Sequence, residues 1–72
     1  MKAEEMERRI EEVNRRIVEK IEVVRERGKK EMPKIRTARE YFCDAVALAT
    51  EKRLEEASYK LSQALEVLKG VE

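Results

Sequence analysis

Apolar residues along the chain fall into three separate seams. Met6, Ile10, Val13, Ile17, Ile21 and Val24 recur at steps of four, three, four, four and three. That spacing lines one side of a helix with a 3.6-residue period and predicts a helix over 2–27, capped by Gly28 in a left-handed turn. Ile35, Ala38, Phe42, Ala45 and Ala49 form the second seam, widened by Tyr41, Val46 and Leu48. It predicts a helix over 33–50, opened by Pro33, whose missing backbone donor is not needed in a first turn. Leu54, Ala57, Leu61, Ala64, Leu65 and Leu68 predict a third helix over 54–69.

No glycine or proline separates the second and third seams, but their phase does. Extending the second seam calls for apolar residues at 52, 53 and 56, where Lys52, Arg53 and Glu56 stand. A new seam starts at Leu54, so a tight turn is expected at about 50–53. Three helices joined by short links make an all-α, three-helix antiparallel up-down-up bundle, with residues 1–72 as a single helical-bundle domain.

The polar faces support this arrangement. Glu4–Arg8, Glu5–Arg9, Glu11–Arg15 and Glu12–Arg16 are i,i+4 pairs with the acid N-terminal, each contributing about 0.3–0.5 kcal/mol when formed. At ~1.5 Å per residue the first helix is ~39 Å long against ~25 Å for the other two, so it is expected to overhang them. Val18 and Val23 fall off its main seam on opposite flanks. A small core, an overhang and two extra valines together point to self-association, most simply a two-fold dimer, with Val18 and Val23 as oligomer contacts. The alternative is that isolated surface valines carry no role.

Composition narrows the chemistry. The 72 residues hold 17 Lys and Arg against 16 Asp and Glu, so no bulk attraction to nucleic acid or an anionic membrane is expected. There is no histidine, which removes the side chain that titrates near neutral pH and the commonest metal ligand. One cysteine, Cys43, cannot form an internal disulfide or hold an iron–sulfur cluster. The two glycines are too far apart to cradle a phosphate. No apolar run approaches a membrane span and the first residues lack a signal-peptide h-region, so a cytoplasmic protein away from membranes is expected. No cofactor, no metal site and no catalytic residue are expected.

Two resemblances rest on residues 38–70. Ala38-x-x-Tyr41-x-x-x-Ala45-x-x-Leu48, followed by Leu54-Glu55-Glu56-Ala57-x-x-x-Leu61-x-x-Ala64-Leu65, resembles a single tetratricopeptide-like hairpin. It departs from that pattern in Asp44, in the absence of a turn glycine and in Lys69 at the closing-proline position. The run Ala38-Arg39-Glu40-Tyr41-Phe42-Cys43-Asp44-Ala45, with Glu56-Ala57, Leu61-Ser62, Ala64, Leu68 and Gly70, looks like an archaeal family of small helical proteins known as domain of unknown function 357. That resemblance implies an archaeal, cytoplasmic protein and brings no activity.

The one local charge anomaly is Arg25, Arg27, Lys29, Lys30, Lys34, Arg36 and Arg39, set against Glu26 and Glu31 only. Such a cluster can contact phosphates on nucleic acid or another anion, or it can be a solvated helix end favoured by the dipole. Glu40 and Asp44 form an i,i+4 carboxylate pair expected to face water, Cys43 is expected to pack at the edge of the buried arc, and Tyr59 and Gln63 share a polar face. The expected function is a non-catalytic helical interaction or assembly module that self-associates or binds another helical protein. The alternative is a small nucleic-acid-associated protein acting through residues 25–39.

Overall fold

Helices form where the seams predict them. The computed structural model describes residues 2–27 and 32–71. It contains α1 (Ala3–Arg27), α2 (Met32–Thr50) and α3 (Leu54–Lys69). The expected Gly28 cap and the cations Lys29 and Lys30 lie outside the described residues. Glu4 and Glu5 in the first turn of α1 and Arg25 and Arg27 in its last both suit the helix dipole.

The direction of each helix follows from what it meets. A shallow depression brings Met6 and Ile10 of α1 against Val46 and Ala49 of α2, and another brings Ile21 and Val24 against Met32. These helices therefore run antiparallel. Arg9 donates to Ser58 and Ser62, and Lys20 donates to the Val71 carbonyl at 3.0 Å, so α1 and α3 run parallel. The result is an up-down-up bundle.

The turn after α2 is built without glycine. Arg53 N–H donates to Leu48 carbonyl at 2.9 Å, and Lys52 N–H donates to Ala49 carbonyl at 3.0 Å. This is the Schellman pattern of a helix end, and it requires a left-handed residue at position 52. Lys52 supplies it with φ of 65°. α3 then starts at once from Arg53, whose side chain forms no backbone cap and instead forks onto Glu56 at 2.9 and 2.6 Å. Its hydrogen bonds to Glu56, and then to Glu51, hold the exposed guanidinium above its ordinary pKa.

The core gathers Met6, Val13, Ile17 and Val24 from α1, Ile35, Ala38 and Ala45 from α2, and Ala57, Leu61, Ala64 and Leu68 from α3. Four of these are alanines at 0% exposure, and they belong to the two helices that pack most closely, α2 and α3. Removing side-chain bulk lets two helix backbones approach, whereas the branched residues of α1 hold it farther out. Val71 beyond α3 completes the core at 2% exposure. Its chain end is held by two cations. Lys20 reaches the Val71 carbonyl, and Lys34 reaches the Gly70 carbonyl at 3.1 Å. Positive charge there complements the negative end of the α3 dipole.

The first helix overhangs by no more than its end turns. Its seam is buried from Met6 to Val24, a span of about 27 Å, which the 19 residues of α2 cover at ~1.5 Å each. Only the outermost turn at each end lies beyond that span. Nor do the four Glu–Arg pairs of α1 close to ion-pair distance. Among the described residues the ion pairs are Arg53 with Glu51 and Glu56, and Lys69 with Glu66. Arg9, expected to pair with Glu5, turns instead to the hydroxyls of α3.

Candidate functional site

Three surfaces carry the residues that the sequence singles out. The first is the outer face of α2. Arg36, Arg39, Glu40, Cys43 and Asp44 line an open, shallow groove there, and all five are exposed. Glu40 and Asp44 face water as expected. Cys43 does not pack at the edge of the core; it is exposed. Its position, two residues before the fully buried Ala45, turns it by ~200° from that side chain and onto the outer face of α2. Among the described residues no group of three or more Cys, Asp or Glu side chains converges to hold a metal.

The second surface is the basic cluster, which spreads over several faces. Arg25 lines the α1–α2 depression beside Met32. Arg27, two residues on, points to the opposite side of the helix by its ~200° rotation. Lys34 donates to the Gly70 carbonyl at the end of α3. Arg36 and Arg39 share their groove with two carboxylates. No aromatic ring stands among these cations: Tyr41 is half-buried, with Lys60 of α3 5.5 Å from its ring centre.

The third surface runs along the junction of α1 and α2. Among the described residues the large exposed apolar side chains are Val18 (48%), Met32 (39%), Val46 (38%) and Tyr59 (64%). Val46 lines one depression of about 200 Å³ together with Ala3, Glu7 and Ile10. Met32 lines the other, about 130 Å³, with Ile21 and Arg25. Val18 lies between them. It follows Glu7 by eleven residues and precedes Arg25 by seven, three and two helical turns, so all three occupy one line along α1.

Val23 belongs elsewhere. It is half-buried and lines a groove with Arg16, Glu19 and Lys20, on the flank of α1 that faces α3. Val18 and Val23 therefore do not share a patch. Val46, placed by its spacing in the broad apolar arc of α2, is exposed at the junction instead. On α3, Tyr59 is exposed, whereas Gln63 is half-buried with an amide oxygen that has no hydrogen-bond partner. The pairing of dents and exposed apolar residues along α1–α2 was not visible in the sequence. It needed the relative placement of two helices, which helical periodicity does not supply.

Comparison with protein-family models, with curated proteins and with solved structures gives no match to this chain. Among the described residues no helix is long and apolar enough to cross a membrane.

Proposed function

We propose that this chain is a non-catalytic helical assembly module that works by self-association. The observation that carries this reading is the α1–α2 junction. Three of the four large apolar side chains exposed among the described residues, Val18, Met32 and Val46, collect along it, beside two apolar depressions. Scattered apolar residues are ordinary on a protein surface; a row of them following a helix junction is what a partner helix covers. The supporting scaffold is the closely packed α2–α3 pair, with four alanines at 0% exposure. Sedimentation equilibrium over micromolar concentrations tests the reading. A dimer that Val18→Glu converts to monomer supports it, and a monomer throughout the range removes it.

A second reading rests on the exposed Arg25, Arg27, Arg36 and Arg39. In that reading the end of the bundle that carries them binds nucleic acid. It ranks behind assembly because these cations face different directions and two carboxylates stand among them. Oligonucleotide binding that falls steeply with salt would raise it; no binding at low salt would end it.

A further inference from the structure

The α1–α2 junction has a direction. Its two apolar depressions each carry one charged α1 residue, and the signs are opposite: Glu7 at one end, Arg25 at the other. The two residues are 18 apart, five whole turns, so they lie on the same line of α1 about 27 Å from each other. Between them on that line stand Asn14 and Val18, at equal distances from position 16. The line Glu7, Asn14, Val18, Arg25 is thus self-complementary under reversal: turned end for end, each acid meets a base.

Resting on the assembly reading above, we infer that the occupant of this face is a second copy of the chain, with the two α1 helices antiparallel about a two-fold axis near residue 16. Glu7 of each protomer then faces Arg25 of the other, twice over. Asn14 faces Val18 near the axis. An isologous contact demands that one patch complement itself, and a line with opposite charges at its ends and the uncharged Asn14 and Val18 at its centre does so, with Glu11, ~40° to one side, set against Ile21. Parallel pairing of the same lines is disfavoured, because it sets Glu7 against Glu7 and Arg25 against Arg25. The face suits a reversible dimer. Cα extents of 38 by 17 Å limit any one face to roughly 600 Å² per protomer, at the low end of specific interfaces. Val23, on the opposite flank, takes no part.

The test is a pair of charge reversals studied alone and mixed. Glu7→Arg leaves its protomer with two cations on the line, and Arg25→Glu leaves its protomer with two anions. Each variant alone places like charges together at both contacts, and its dimer is expected to weaken by ~10-fold or more. An equimolar mixture restores both opposite pairs and is expected to form a heterodimer within ~3-fold of the parent affinity. Circular dichroism checks that each variant folds, which is expected because both positions are exposed. In a Cys43→Ser background, a Glu7→Cys protein should cross-link to an Arg25→Cys protein more readily than either does to itself.

If the parent is a dimer but the mixture gains nothing over the single variants, the antiparallel α1 arrangement is wrong while the assembly reading stands. If the parent stays monomeric at all concentrations, both fall. If the exposed face takes up a different helical protein and not its own copy, the second-copy assignment is overturned.

Discussion

Lys52 occupies a position that the backbone reserves for glycine. Its φ of 65° lies in the left-handed region, where a side chain is pressed toward the neighbouring carbonyl at a cost of about 1–2 kcal/mol. The Schellman bonds from Lys52 and Arg53 hold it there. Lys52→Gly removes the steric cost but frees the unfolded chain, which offsets part of the gain. The expected outcome is a stabilisation of about 0.5–1 kcal/mol, read as a higher urea midpoint with an unchanged slope. Gly70 gives the opposite lesson. Its φ of −81° is open to any residue, and a Cβ would meet the flexible end of Lys34 at 3.3 Å and the Val67 carbonyl oxygen at 3.5 Å, an ordinary contact. Gly70→Ala should therefore leave stability within ~0.5 kcal/mol. Gly70 marks an undemanding place and Lys52 a demanding one. Composition-based reading has that order reversed, because a left-handed residue is imposed by the helix ends on either side of it and not by its own side chain. Cys43 shows the same limit: how much of α2 is covered depends on where the neighbouring helices sit, and they leave Cys43 on its outer face.

At the scale of elements, the three helices were legible because each seam keeps its own phase. The break between Ala49 and Leu54 located the turn to within a residue, with no glycine to mark it. The fit between helices was not legible. Helix lengths alone suggest an overhanging α1, but the buried seam of α1 ends at Met6 and Val24, and Val71 extends α3 along it. The i,i+4 charge pairs of α1 were likewise predicted from spacing, yet Arg9 finds Ser58 and Ser62, partners no local pattern reveals. Two predictions belong here. Val71→Ala should cost about 1–2 kcal/mol in thermal or urea unfolding, as expected for removing two buried methyl groups. Ala57→Leu should cost about 1–3 kcal/mol, since a position at 0% exposure in the core has no room for added bulk. If Ala57→Leu were neutral, the core around Ala57 would have room that its complete burial denies. The looser seating of α1 predicts in addition that its amides exchange through a smaller opening free energy than those of α2 and α3.

At the scale of the whole molecule, size sets the terms. A chain of 72 residues exposes about 40% of its unfolded surface even when folded, so the core leaves a small margin of stability. Burying the α1–α2 face in a dimer adds to that margin by mass action, because only folded chains can pair. The consequence is a melting temperature that depends on protein concentration. At protomer concentrations about ten times the dimer dissociation constant, the linkage is worth roughly 1 kcal/mol, which in a domain of this length raises Tm by about 4–8 °C. Val18→Glu, which places a charge at the centre of the proposed contact while leaving the core untouched, should melt at the same temperature at every concentration. Salt separates this effect from general charge repulsion. Screening weakens the Glu7–Arg25 contacts between protomers, so the concentration dependence of the parent should shrink between 0.05 and 0.5 M salt, as expected from a Debye length that falls from roughly 14 to 4 Å. A parent whose Tm rises with concentration but ignores salt would be pairing through apolar contact alone, and the charged ends of α1 would then have no part in choosing its orientation.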